Sequence, residues 1–189
     1  QQIPAGWKIM RFDEYINLLY GSNLPQDKRE NGAIPVYGSN GITDYHNEPL
    51  VKGPGIIIGR KGSIGIVHWS AQDFWPIDTT YYVTDDKNKN LRWAYYKLQT
   101  LGLEKMNTAS GIPGLNRNEV YSLKIAIPPL AEQIRIAAIL SKVDAEIEKV
   151  DRIIEQTEKL KKGLMQQLLT KGIGHTKFKI TELGEIPEE

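Results

Sequence analysis

The side chains best placed for chemistry in this sequence are hydrogen-bond donors and cations on short polar segments. Gly59-Arg60-Lys61-Gly62-Ser63 sets two cations between glycines. Arg and Lys neutralise phosphate or fork onto a guanine edge, and glycine lets a backbone approach closely. Tyr37, Ser39 and Asn40 are candidate DNA contacts, and an Asn amide can pair bidentately with adenine. Thr79 and Thr80 carry hydroxyls for phosphate and methyls for thymine. Asn107, Thr108 and Ser110, then Asn116-Arg117-Asn118, gather polar groups around Gly111 and Gly114. Lys28 and Arg29 are further phosphate candidates. Each segment also has a plainer reading. Residues 59–63 can be a solvated hairpin tip, residues 38–41 a simple turn, and Thr79 and Thr80 a cross-strand pair. Asn116 or Asn118 can be a helix cap.

Motifs for catalysis are missing from the same chain. A DNA methyltransferase needs a glycine turn for its methyl donor and an Asn/Asp-Pro-Pro-aromatic loop for the flipped base. The one Pro-Pro pair, Ile127-Pro128-Pro129-Leu130, offers no polar group. No Glu-x-Lys of the common metal-dependent nucleases occurs. The order Lys61-Gly62-Ser63 departs from the Gly-Lys-Ser/Thr of a phosphate loop. Asp78, His46 and His68 would be the first candidates for an unfamiliar active site. With no cysteine and three scattered histidines, neither a disulfide nor a metal centre is expected. The expectation is a non-catalytic chain that binds no cofactor itself.

The elements that position these residues follow from composition and period. The 189 residues are 40% hydrophobic and 25% charged, with net charge +1, so any electrostatic footprint must be local. No apolar run reaches the length of a membrane span and no signal peptide is visible, so a cytoplasmic protein without membrane contact is expected. Ile34-Pro35-Val36-Tyr37 reads as a strand running into a turn. Gly55-Ile56-Ile57-Ile58-Gly59 and Ile64-Gly65-Ile66-Val67-His68-Trp69 read as a hairpin with residues 60–63 at its tip. Residues 77–83 read as a third strand. Leu91, Tyr95, Leu98 and Leu101 recur at helical spacing, and residues 123–127 form a last strand stopped by Pro128-Pro129.

From Ala131 the period becomes heptad. Leu140, Val143, Ile147, Val150 and Ile154 alternate in steps of three and four, with Leu164 and Leu168 in phase and Thr157 and Lys161 in the same seam. This is a coiled-coil stripe, about 40 residues and about 60 Å long. An amphipathic helix lying on its own domain is the alternative, although such a rod outreaches a domain of about 130 residues. The fold class is therefore α+β: a mixed, β-rich domain over 1–130, a dimerisation helix over 131–172, and a tail over 173–189. That tail, with Ile186-Pro187, echoes Ile3-Pro4, as though a second repeat began there.

Three stretches carry a family resemblance: residues 37–42 (Tyr-Gly-Ser-Asn-Gly-Ile), residues 110–116 (Ser-Gly-Ile-Pro-Gly-Leu-Asn), and above all residues 123–137, where a strand, Pro-Pro and a Glu-Gln-rich helix start follow one another. The sequence resembles the specificity subunits of type I restriction-modification systems. The resemblance implies target-recognition domains, each followed by a spacer helix, with the helices paired antiparallel so that each domain reads half of a bipartite DNA site. It also implies partner methyltransferase subunits that use S-adenosylmethionine to methylate adenine, and a restriction subunit. Only one domain and one helix are present, so a homodimer on a palindromic split target is expected, in preference to half of a longer chain. A coiled-coil adaptor that binds protein instead of DNA is the rival reading.

Overall fold

Three consecutive isoleucines in a β-prone run suit a strand that is covered on both faces, because alternate side chains point to opposite sides. Ile56 and Ile58 join one apolar cluster, Ile57 joins another, and all three are wholly buried. The computed structural model describes residues 3–85, 89–107, 113–182 and 184–188. In chain order the elements are β1 (Lys8–Arg11), α1 (Phe12–Tyr15), β2 (Leu19–Tyr20), β3 (Ile34–Gly38), β4 (Gly41–His46), β5 (Gly55–Gly59), β6 (Val67–Ser70), β7 (Trp75–Pro76), β8 (Thr80–Thr84), α2 (Leu91–Gln99), α3 (Arg117–Ser122), β9 (Lys124–Ile127), α4 (Leu130–Lys171), β10 (Phe178–Thr181) and β11 (Gly184–Pro187). This is the α+β architecture expected.

The chain forms two compact units, Gln1–Ala138 and Ile139–Glu189, and the boundary falls inside α4. In the first unit, β2-β8-β5-β6 make an antiparallel sheet, β4-β3-β7 a second sheet, and β1 pairs with β9. The larger cluster packs Phe12, Leu18, Ile56, Ile58 and Tyr81 against Trp93, Leu98, Leu103 and Val120 from the helices and turns beside the sheet. The smaller one holds Tyr37, Val51, Ile57 and Phe74. Each fully buried side chain of this size contributes about 1.5–3 kcal/mol.

The start of α4 shows why Glu132-Gln133 follows Pro128-Pro129. Gln133 is buried, and its amide donates to the Pro128 carbonyl at 2.9 Å. Its Oε1 accepts from the Tyr15 hydroxyl at 2.7 Å and from the Asn90 N–H at 3.1 Å. Glu132 accepts from the Trp7 indole at 3.1 Å. A buried amide is tolerated because each of these groups finds a partner. These bonds dock the first turns of α4, with Ala137 buried, into the first unit.

Two expected strands begin later than their β-propensity indicates. Ile64 is buried in a loop, Gly65 turns with φ 71°, and pairing resumes only at Val67. Asp78 and Thr79 form a turn, closed by the Thr80 N–H donating to the Ile77 carbonyl, so β8 starts at Thr80. In the second unit α4 continues to Lys171, followed by the antiparallel β10–β11 hairpin. Among the described residues no helix is long and apolar enough to cross a membrane.

Candidate nucleic-acid interface

Polar segments that are far apart in sequence meet at one place. The β3–β4 hairpin turns through Ser39-Asn40, and the Ser39 hydroxyl donates to the Lys61 carbonyl at 2.5 Å and lies 2.8 Å from the Thr79 carbonyl. That same Thr79 carbonyl accepts from the N–H groups of Arg60, at 2.8 Å, and Lys61, at 3.1 Å. Gly62 donates to the Pro113 carbonyl at 3.0 Å and Leu115 to the Arg60 carbonyl at 2.8 Å, so residues 60–62 pair with 113–115. Asn107 bridges to Leu115, and its Oδ1 accepts from the Gly114 N–H at 3.2 Å. Four loops thus share one hydrogen-bonded frame.

Two glycines are required by this convergence. A Cβ on Gly59 would stand 2.0 Å from the Ser63 carbonyl oxygen and 2.9 Å from that of Ser39, so no side chain fits where the loops cross. Gly62 has φ 74°, the left-handed region that other residues rarely adopt, and its Cβ position is open. The loop can therefore be approached closely from outside at Gly62.

The frame sorts the candidate contacts. Asn40, Lys61, Asn107 and Asn116 are exposed, and Arg60, Ser63, Thr79 and Arg117 are half-buried. Asn116 also caps α3, its side chain accepting from the Asn118 N–H at 2.9 Å. Lys61 reaches Asp78 at 3.9 Å, a loose pair of exposed groups that leaves the ammonium available to a stronger anion.

Four of the expected contacts are engaged inside the fold. Tyr37 is 7% exposed and packs edge-on to Phe74, with ring centroids 6.0 Å apart. Ser39 is 9% exposed, and its hydroxyl is engaged in the loop frame. Thr80 is fully buried, its hydroxyl donating to the Ile77 carbonyl at 2.7 Å. Arg29 pairs with Asp44 at 3.1 Å and donates to the Leu24 carbonyl, so its guanidinium braces the loop from within. Asp44 in turn is held below the usual carboxylate range by the Tyr45 N–H and then by Arg29. Lys28 is exposed in the turn Gln26–Lys28 and makes no described contact with the loop frame. Thr108 and Ser110 lie outside the described residues.

His68, a candidate on sequence for an unfamiliar active site, lies beside the frame, and Tyr20 is a residue that the sequence reading missed. The His68 ring sits under the β3–β4 turn, where a Cβ on Gly41 would meet its Cε1 at 3.4 Å. Burial lowers its pKa below the ordinary value, while a hydrogen bond to the Ser39 backbone opposes that shift. Tyr20, in an unremarked Leu-Tyr-Gly-Ser stretch, lies 48% exposed beneath the guanidiniums of Arg60 and Arg117. Tyr20 could not be found from sequence, since its setting depends on residues that are distant in the chain.

In the second unit, Leu140, Val143, Ile147, Val150, Ile154, Leu164 and Leu168 are all exposed. Thr157, in the same seam, satisfies its hydroxyl on the Ile153 carbonyl. Two ion pairs on this helix, Lys149 with Glu146 and Lys159 with Glu155, are local and exposed.

The first unit thus carries a polar, loop-built face on a β-rich domain, and the second a long helix with an exposed apolar seam. The family model described as "Type I restriction modification DNA specificity domain" matches residues 4–159. The chain belongs to this family. It is 29% identical over 205 residues to the MjaVIII specificity subunit of Methanocaldococcus jannaschii, an alignment that covers all of this chain and 48% of that relative. It is 32% identical over 136 residues to the EcoprrI specificity subunit of Escherichia coli, covering 71% of this chain and 33% of that relative. The chain therefore spans about half or less of the length of these curated relatives. A solved type I restriction-modification S subunit from M. genitalium superposes with TM-score 0.74 over 89% of this chain and 46% of that one, at 21% identity. A subunit from Thermoanaerobacter tengcongensis gives 0.63 over 89% and 45%. At these identities the likeness establishes the fold.

Proposed function

We propose that this chain supplies DNA sequence specificity to a type I restriction-modification assembly and has no catalytic centre of its own. The observation that carries this reading is the convergence of residues 39–40, 60–63, 79, 107 and 113–116 on one frame in a chain of the specificity family. Buried groups such as Ser39 fix the loops, and exposed groups such as Asn40, Lys61, Asn107 and Asn116 are presented outward. The Asn40 amide offers a paired donor and acceptor to a base edge, while Lys61 supplies charge to the backbone. One such domain reads one half-site.

The seam of the second unit holds a second domain at a fixed distance by pairing antiparallel with another copy of α4. A two-fold pair of identical readers recognises a split palindrome, because the symmetry of the site mirrors that of the protein. Methyl transfer to adenine belongs to methyltransferase subunits that use S-adenosylmethionine, and a restriction subunit completes the assembly. The test is duplex methylation by the purified chain, by a methyltransferase subunit, and by both together. Methylation at defined sites only with both is expected. Methylation by this chain alone would overturn the non-catalytic reading, and site choice unaffected by the chain would overturn its role as reader.

A further inference from the structure

Two guanidiniums lie over one exposed ring at the border of the loop frame. The Arg60 guanidinium carbon stands 5.2 Å from the centre of the Tyr20 ring and that of Arg117 stands 4.7 Å from it. Tyr81 and Tyr121 lie under the same two arginines, at 5.9 Å and 5.6 Å. Aromatic faces attract cations, so the ring can hold two like charges near each other that would otherwise separate. Among the described residues, no carboxylate pairs with either arginine. The Arg60 guanidinium donates to the Asp78 carbonyl, at 2.6 and 3.1 Å. Among the described residues, the Arg117 guanidinium makes one long hydrogen bond, 3.4 Å to the Leu18 carbonyl, and its buried Nε has no partner.

The ring that carries them is fixed in place. Tyr20 pairs with Tyr81 in the sheet, and the next two N–H groups, of Gly21 and Ser22, donate to the carbonyls of Thr80 and Pro76. Tyr81 adds no neutralising charge. Burial first, then its neighbour Tyr20, pushes its pKa up to about 12, and its hydroxyl donates to the Leu115 carbonyl. The Arg60 backbone belongs to the loop frame and Arg117 opens α3 beside Asn116, so the ring joins two of the converging loops.

We infer that Tyr20, Arg60 and Arg117 form a single anion site, in which the exposed ring aligns two uncompensated guanidiniums on one phosphodiester of the DNA that the loop frame reads. This rests on the DNA-reading proposal above and assigns Tyr20, a neutral residue, a part in phosphate binding. It also assigns the two arginines to backbone positioning instead of base reading. The guanidinium donors not directed at the Asp78 and Leu18 carbonyls suit a tetrahedral oxyanion shared between the two forks.

The experiment is a salt titration of mixed-sequence duplex binding by the full chain, with thermal melting of each variant as a check on folding. Each phosphate contact contributes about 0.9 to the slope of log affinity against log salt. Because one phosphate is shared, Arg60→Gln combined with Arg117→Gln should make the slope shallower by about 0.9. Tyr20→Ala, at an exposed position, should reproduce much of that loss, and Tyr20→Phe, which keeps the ring, should not. A double variant that loses about 1.8, one contact for each arginine, overturns the shared site. A parent-like slope in both the double variant and Tyr20→Ala does so too. Inorganic phosphate at matched ionic strength should compete weakly with duplex; if phosphate binding depends on Tyr20 and duplex binding does not, the site belongs to a free anion and the inference falls. A parent chain with no salt-dependent affinity for duplex overturns the DNA-reading proposal itself.

Discussion

The two units treat their apolar residues in opposite ways. In Gln1–Ala138, Phe12, Leu18, Ile56, Ile58 and Phe74 have no exposed surface. In Ile139–Glu189, Val143, Ile147, Val150 and Ile154 are each about half exposed. The first unit therefore draws its stability from contacts within itself. A single amphipathic helix in water gains little from propensity alone and is stabilised mainly by what covers its apolar face. Domain folding and helix pairing should respond to different substitutions.

The largest effect separating the two should come from Phe12→Ala, which leaves a cavity beside Tyr121 of α3. It should destabilise the first unit by about 3–5 kcal/mol in denaturant unfolding. A shift under about 1 kcal/mol would mean that this core is not the one holding the domain. Next, Ile147→Asp should leave melting of the first unit unchanged while weakening self-association at least tenfold in sedimentation equilibrium, since one buried Ile contributes about 1.5–3 kcal/mol. Equal loss in both readouts would contradict the independence of the units. Lys161→Leu should act in the opposite direction, removing a charge from the seam and tightening association. An unchanged or weaker dimer would reject the heptad register.

The smallest effect is a pH dependence confined to the first unit. His68 has a folded pKa below its ordinary value of 6.5, so the folded state resists protonation more than the unfolded chain does. Its contribution is fully present above about pH 6.5 and is lost as pH falls through the lowered folded value. Melting of the parent should therefore fall more steeply below pH 6.5 than melting of His68→Gln. Parallel curves would show that this ring does not sense the turn above it.

The long periodic elements were legible in the sequence because each is specified locally. The heptads place α4, the isoleucine run places β5, and Pro128-Pro129 marks the end of β9 and the start of α4. Strand starts near glycine were less legible. β-Propensity favoured Ile64 and Ile77, but the chain needed turns at Gly65 and at Asp78-Thr79 to bring the loops together. For the candidate site, polar type indicated the right segments without indicating which way a side chain faces. Ser39 and Asn40 are adjacent, yet one is an internal fastener and the other is exposed. Arg29 and Arg60 look alike in sequence, and only tertiary contacts show that Arg29 has a carboxylate partner. Tyr20 gave no signal, since its setting is assembled from β2, residue 60 and α3.

The most direct test of the central claim is genome-wide adenine-methylation mapping in cells that carry this chain with a methyltransferase partner, compared with cells that lack the chain. A pair of identical readers held by α4 predicts methylation that requires the chain and falls on a split motif whose halves are inverted repeats. Methylation indifferent to the chain, or a chain-dependent motif with unlike halves, would contradict that account.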